Sequence, residues 1–149
     1  MSIVLGANQY GKAENRVVRI YRDTARHEIR DLNVSTSLRG EFTDAHVAGD
    51  QSQVLPTDTQ KNTAFAYAKK HGVSSPEDYA IALGRRFLDA APAATGAQIQ
   101  VEEYAWDRIQ VDGEVFVAAD RPYGLIEAAV ARDDTPDPGS AWVGLPGFC

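Results

Sequence analysis

The hydrophobic period of this chain changes twice along its length, and that change constrains the fold more than any other feature. Apolar side chains recur at every second position in much of residues 16–38, which is the period of a half-buried β-strand. Residues 58–91 carry them at helical spacing, and the period of two returns after residue 98. The order strand, strand, helix, helix, strand, strand predicts an α+β fold in which two helices cover one face of an antiparallel four-stranded sheet.

The first two predicted strands form a long hairpin. Ile29 is out of step with the apolar positions that follow it, so we expect a β-bulge near Arg30 or Asp31. The apolar face of the second strand is predicted to carry Leu32, Val34, Thr36 and Leu38.

A loop and two helices are predicted for the middle of the chain. Residues 42–53 are polar and without period, which indicates a loop. One helix is predicted from about Asp58 to His71, with Gly72 ending it. Ser75 as N-cap and Pro76 as first residue begin the second helix, whose apolar stripe is Tyr79, Ala82, Leu83 and Phe87.

The last third of the chain returns to strand. We expect a strand from Gln98 to Val111, a turn at Asp112-Gly113, and a last strand interrupted near Arg121-Pro122. The tail that follows is rich in turn residues. A four-stranded sheet has two free edges, and pairing them between subunits protects both, so we expect a homo-oligomer.

Charge and cysteine content exclude several classes of function. Lysine and arginine number 15 against 21 acidic residues, a net charge of −6, which disfavours nucleic acid because phosphate binding requires a basic face. Cys149 is the only cysteine, so no intrachain disulfide forms and a reducing compartment is expected. No apolar run approaches the roughly 20 residues of a membrane span, and the first residues do not resemble a signal peptide. These features predict a cytoplasmic protein that binds neither nucleic acid nor membrane.

The stretch "PTDTQ" at residues 56–60 has two compatible interpretations. Thr57 as N-cap and Gln60 three residues later form the sequence of a capping box. A helix start also offers free N–H groups and a partial positive charge, so the amides near Asp58 can hold a small anion beside the Thr57 hydroxyl. Threonine is not a base near neutral pH, so a catalytic Thr57 requires a partner; Lys12 can be one if it is buried, although such a lysine is usually solvated.

The three histidines, His27, His46 and His71, lack the spacing of metal ligands. His71 is interpreted as a helix C-terminal residue favoured by the helix dipole, and His27 on a strand and His46 in a loop are interpreted as surface residues. No metal site is predicted.

Several stretches resemble the urate oxidase (uricase) family. "NQYGKAENRVVRI", "RHEIRDLNVSTSLRGEF", "VLPTDTQKNTAFAYAK" and "WDRI" resemble its N-terminal half, and "EVFVAADRPYGLIEA" with "GFC" resembles the C-terminal end of bacterial members. The resemblance implies the tunnelling fold (T-fold). It also implies cofactor-free oxidation of urate by O₂ and water to 5-hydroxyisourate and H₂O₂, a step of purine catabolism. By motif match, Lys12 and Thr57 are the catalytic lysine and threonine, and Thr57 and Asp58, the latter through its backbone, contact urate.

The chain departs from the family between "WDRIQVDGE" and "EVFVAADRPYGL", where a long stretch is absent. In the family that stretch carries the relay histidine and the Phe, Arg, Gln and Asn that clamp the urate ring. The chain therefore resembles an internally shortened uricase: residues 1–149 are predicted to form one hybrid T-fold domain, with 1–111 resembling the N-terminal domain and 114–149 the C-terminal end. The alternative is a catalytically impaired T-fold remnant, or a binding module for a purine-like anion.

Overall fold

The structure is a computed structural model that describes residues 3–111, 113–132 and 142–144, with side chains described for residues 3–109 and 124–132. In chain order the elements are β1 (Gln9–Tyr21), β2 (Glu28–Gly40), α1 (Thr43–Val47), α2 (Thr57–His71), α3 (Pro76–Ala90), β3 (Ala94–Val111), β4 (Gly113–Ala131) and β5 (Trp142–Gly144).

All of these strands belong to one antiparallel sheet, in which each strand lies beside its neighbour in the chain. The four long strands and the helix pair α2–α3 confirm the predicted α+β fold and its ββααββ order. β5 was not predicted: its three residues pair with Glu127, Ala128 and Ala129 on the outer side of β4. β1 forms the opposite edge of the described sheet.

The core lies between the two long helices and one face of the sheet. The predicted inward residues of β2 are buried, with Thr36 the most exposed of them at 5%. In α3 the residues Tyr79, Leu83 and Phe87 are buried as predicted, and Ala82 is half-buried. Each large apolar side chain buried in this way stabilises the fold by about 1.5–3 kcal/mol relative to an exposed position.

The ends of both long helices follow local chemistry. The Ser75 hydroxyl accepts a hydrogen bond from the Asp78 amide at 3.1 Å, and Pro76 begins α3 as predicted. Gly72 follows α2 with φ 79°, a conformation in which a Cβ would be strained, so the predicted glycine stop is confirmed.

The predicted bulge in β2 is wrong. β2 pairs with β1 in unbroken register from Glu28 to Val34, and the register shift lies instead in β1, between Lys12 and Asn15. Ile29 is out of step because it lies, opposite Ile20 of β1, on the face away from the helices, which also carries Asp31. The Asp31 carboxylate accepts hydrogen bonds from the Arg16 guanidinium at 2.5 and 2.6 Å and from the Trp106 indole at 2.9 Å.

Two further boundaries differ from the sequence prediction. Residues 42–53 are not entirely loop, because α1 occupies five of them; none of its residues is buried, so it leaves no apolar period to detect. β3 begins at Ala94 rather than Gln98, since the first residues of β3 continue the pairing with Arg39 and Gly40 of β2.

β4 is continuous, and the interruption expected near Arg121-Pro122 appears as register shifts in its pairing with β3. The tail at residues 133–140 lies outside the described residues. Among the helices that are described, none is long and apolar enough to cross a bilayer.

Candidate functional site

The start of α2 carries no side-chain cap. Pro56 occupies the N-cap position, with φ −54° and ψ 139°, and Thr57 is the first helical residue. The predicted capping box is therefore wrong, because the proline places the helix boundary one residue earlier and its ring offers no oxygen to cap with. The Thr57 side chain is exposed, and no side-chain oxygen caps the first amides of the helix, which are the groups that can hold an anion.

Gln60 turns into the protein instead of back toward the helix start. Its side chain is completely buried, its Oε1 lies 2.8 Å from the Thr36 hydroxyl, and its Nε2 donates to the Leu55 carbonyl at 3.3 Å. The polar residue that local reasoning assigned to a cap thus links the first turn of α2 to β2 and to the segment before the helix.

Asp58 is the second residue of α2, and its side chain is 75% exposed. Lys61 Nζ donates to its Oδ1 at 2.6 Å. This hydrogen bond and the charge of Lys61 lower the pKa of the Asp58 carboxyl, and the charge of Lys12 lowers the pKa further. Lys12 therefore lies within electrostatic reach of the helix start. An ionised carboxylate here leaves the Asp58 backbone amide, rather than its side chain, as the group suited to an anionic ligand.

A β-bulge determines which face of the sheet carries Lys12. Lys12 pairs with Thr36, and after the register shift Asn15 pairs with Val34. Three steps along β1 thus match two steps along β2, so Lys12 and Asn15 lie on the same face. Thr36 and Val34 are both buried against the helices, which puts Lys12 on the face that α2 covers. Its side chain is exposed, as the usual reading of a strand-end lysine predicts.

Thr57 also lines a cleft of about 500 Å³. This volume is in the range of small-molecule sites, which commonly combine apolar walls with a few polar groups. The cleft is bounded by Tyr10 from β1, by residues at and near α1, and by the segment that leads into α2; its lining residues are Tyr10, Phe42, Ala45, His46, Gln51, Val54, Pro56 and Thr57.

Tyr10 is the lining residue with the most specific contacts. Its hydroxyl donates to the Leu55 carbonyl at 3.1 Å and accepts from the Leu55 amide at 2.8 Å, and its ring packs edge-on against Phe42 with centroids 4.9 Å apart. Burial raises the pKa of Tyr10 above its ordinary value, with the Leu55 hydrogen bond opposing that shift in part. The sequence reasoning did not single out Tyr10, although its place directly before Gly11 and Lys12 was a usable signal.

The histidines are distributed over the fold. His46 is exposed, as interpreted from the sequence, and it lines the same cleft as Thr57. His71 ends α2 with its ring 4.8 Å from that of Tyr67, and His27 precedes β2. No group of three His, Cys, Asp or Glu residues within the described ranges is arranged to hold a metal ion.

The sequence model of the uricase family matches residues 8–127. A uricase from Arthrobacter globiformis is 47% identical over 114 residues, which cover 76% of this chain and 37% of that protein. A uricase from Dictyostelium discoideum is 34% identical over 135 residues, which cover 87% of this chain and 47% of that protein. The chain thus spans less than half the length of these curated relatives.

Solved structures extend the likeness to the fold. The crystal structure of uricase from Arthrobacter globiformis has a TM-score of 0.72 and 32% identity, over 97% of this chain and 60% of that chain. A urate oxidase structure from Bacillus sp. TB-90 has a TM-score of 0.75 over 94% of this chain and 52% of that chain; at 18% identity it shows the fold alone.

Proposed function

This chain belongs to the uricase family, and from that membership we propose that it oxidises urate with O₂ and water to 5-hydroxyisourate and H₂O₂. Lys12 and Thr57 are the catalytic pair in this proposal. Thr57 and the Asp58 backbone contact the substrate. The reaction needs no metal and no organic cofactor in this scheme.

The roles follow from the chemistry of the two side chains. The amides that begin α2 hold the urate anion, since a helix start combines free N–H donors with a partial positive charge. The Thr57 hydroxyl lies at the same helix start and passes a proton, while Lys12 accepts or returns it, because threonine alone is not a base near neutral pH. Lys12 is exposed in the structure, so this role requires that bound urate cover its amine and exclude water from it. Urate gives two electrons and two protons to O₂, forming H₂O₂, and the oxygen of water forms a bond to C5 of the ring, which yields 5-hydroxyisourate.

The observation that carries the proposal is the meeting of three features at one helix start. Thr57 borders a cleft of about 500 Å³, α2 begins there without a side-chain cap, and Lys12, which pairs with the buried Thr36, lies on the face of the sheet that α2 covers. Any one of them alone is common in proteins without catalytic activity.

The test is turnover of urate by the purified full chain in aerated buffer, followed by loss of urate absorbance and by release of H₂O₂. We expect turnover in the wild type and its loss in Thr57→Ala and Lys12→Met. Thr59→Ala is the matched control, because Thr59 is an exposed threonine in the same helical turn. Turnover that persists in Thr57→Ala would overturn the assignment of Thr57.

A second candidate is a binding module that holds urate or a similar anion without oxidising it. This chain matches 37% of the Arthrobacter globiformis uricase, so catalytic groups that lie in the rest of that protein can have no counterpart here. That partial match favours the binding module. Loss of one member of a catalytic unit can cost about 10⁴-fold or more in rate. Urate binding by calorimetry, without turnover and abolished in Thr57→Ala, would select this candidate; the absence of both binding and turnover would reject both.

We also propose that residues 1–149 form one hybrid T-fold domain, made of the 1–111 and 114–149 segments, and that it assembles through sheet edges into a cytoplasmic homo-oligomer. What supports assembly is the long edge strand β1, whose outer side has no neighbour in the described sheet. A monomer by sedimentation at micromolar concentration would contradict it.

A further inference from the structure

Buried polar side chains are concentrated around Lys12. Within the described residues, the buried polar or charged side chains are Asn15, Asp31, Thr36 and Gln60, and only Asp31 lies on the face away from the helices. The other three are at most 5% exposed and sit where β1 bulges beside α2. We call these three residues the Lys12 clamp.

The clamp joins the backbone of Lys12 to the first turn of α2. Asn15 Nδ2 lies 3.3 Å from the Lys12 carbonyl and donates to the Val34 carbonyl at 3.0 Å. The Thr36 hydroxyl lies 3.3 Å from the same Lys12 carbonyl and 2.8 Å from Gln60 Oε1, and its one proton can be donated to either. Gln60 follows Thr57 by three residues and therefore lies on the same side of the helix.

The β-bulge in β1 is strained and needs the hydrogen bonds of these three residues. Glu14 adopts φ 56°, a conformation that L-residues rarely take, and its amide donates to the Ser35 hydroxyl at 3.0 Å. Strained backbone of this kind persists only where the surrounding contacts determine it. The Asn15 side-chain amide supplies such a contact from inside the core. The Thr36–Gln60 pair connects the bulge to α2 through hydrogen bonds.

We infer that Asn15, Thr36 and Gln60 are positioning residues that set Lys12 against Thr57. The inference rests on the proposed function, in which those two residues pass a proton. For the Thr36–Gln60 contact, an apolar pair of similar shape would fill the same volume at comparable stability, since replacing both partners of a buried hydrogen bond can be nearly neutral. The polar pair adds a directional link between the Lys12 backbone and α2, and a misplacement of about 1 Å at a catalytic group can cost roughly 10²-fold in rate.

Steady-state kinetics with urate on four full-length variants test the clamp. Thr36→Val and Gln60→Met keep shape and remove hydrogen bonding, and we expect kcat to fall about tenfold or more while KM changes less than about threefold. Thr36→Ser keeps the hydroxyl and is expected to retain kcat within about threefold. The double variant Thr36→Val/Gln60→Met removes both partners, so we expect it to recover thermal stability relative to the single variants but not kcat.

The outcomes separate this inference from the proposed function. Wild-type turnover together with a double variant that recovers both stability and kcat would overturn the inference alone, because the pair would then be purely structural. Equal kcat in Thr36→Ser and Thr36→Val would do the same. Absence of turnover in the wild type would overturn the proposed function and this inference with it. If Thr36→Val or Gln60→Met does not fold, the kcat values of Thr36→Ser and of the double variant still test whether the Lys12 clamp positions Lys12.

Discussion

The Tyr10 hydroxyl closes a two-way hydrogen bond with the backbone of Leu55, donating to its carbonyl at 3.1 Å and accepting from its amide at 2.8 Å. Leu55 directly precedes Pro56, the N-cap residue of α2. One side chain from β1 therefore holds the entry to the helix against the strand that carries Lys12. Because both backbone groups of Leu55 are involved, the segment is fixed in orientation as well as in distance.

Tyr10→Phe removes both of these hydrogen bonds and leaves the ring in place. We expect a loss of about 1–3 kcal/mol in unfolding free energy, because the Leu55 amide loses its partner and the Leu55 carbonyl keeps only the longer hydrogen bond from Gln60 Nε2 at 3.3 Å. If the proposed function holds, kcat for urate should also fall by about tenfold or more, since Thr57 is displaced relative to Lys12. Urea unfolding and the urate assay measure the two effects.

Tyr67→Phe is the matched control for that variant. Tyr67 is half-buried, and within the described residues its hydroxyl makes no hydrogen bond, so its removal should change stability by less than about 0.5 kcal/mol. Equal losses in the two variants would show that the Leu55 contact does not stabilise the helix entry.

Gly11 is required by the close approach of β1 and β2. A Cβ at this position would lie 1.8 Å from the Thr36 carbonyl oxygen and 2.9 Å from the Ser37 Cα, both backbone atoms that cannot rotate away. Gly11→Ala is therefore expected to destabilise the chain by about 1–3 kcal/mol or more. Gly6→Ala, where nothing lies within 4 Å, should stay within about 0.5 kcal/mol in the same urea unfolding experiment. If Gly11→Ala left the unfolding free energy unchanged, β1 and β2 would be able to move apart at this position without cost, which would contradict the prediction.

Elements governed by local chemistry were predictable from the sequence. The period of two in β2, the Ser75 cap and the Gly72 stop each depend on residues within a few positions of one another, and each was confirmed. The catalytic pairing of Lys12 with Thr57 stays a prediction, and it came from the family resemblance, since nothing near Lys12 in the sequence indicates which face it occupies.

The remaining features depend on contacts between distant segments. Gln60 has the right spacing for a capping box, but the buried Thr36 hydroxyl, 24 residues away, is a partner that local spacing cannot reveal. The bulge at Glu14 arises because β1 has two residues between Lys12 and Asn15 where β2 has one between their partners, which becomes evident only when the register of the pair is known. Tyr10 and His46 line one cleft although they are far apart in the sequence, and local spacing does not reveal this either.

The Arg16–Asp31 pair tests how the face away from the helices is stabilised. Asp31 is 1% exposed, whereas the Arg16 side chain is 50% exposed and stacks over the Tyr104 ring at 4.0 Å. Arg16→Met leaves the carboxylate with the Trp106 indole as its described partner, and we expect a loss of about 1–3 kcal/mol. The cost stays below that of a fully buried broken pair because water can replace the half-exposed guanidinium. Arg22→Met, at an exposed residue just after β1, is the control, and a loss no larger than in that control would contradict the prediction.

Tyr79 makes the free energy of unfolding depend on pH in the alkaline range. Its hydroxyl is buried and donates to the Ala64 carbonyl at 2.9 Å, and burial raises its pKa above the ordinary 10.0. A raised pKa means that the folded state binds the proton more tightly than the unfolded state. The stabilisation is therefore complete below pH 10, and it is lost as the pH rises from there toward the folded pKa, at up to about 1.4 kcal/mol per pH unit.

Tyr79→Phe removes this dependence together with one hydrogen bond. We expect the variant to be less stable than the wild type by about 1 kcal/mol at pH 8. The difference should shrink above about pH 10 and reverse near pH 11, because the unfolded wild type then gains stability by ionising Tyr79, which the variant lacks. Urea unfolding of both proteins from pH 8 to 11.5 measures the difference directly. A difference that stays constant over this range would show that burial does not hold the proton on Tyr79.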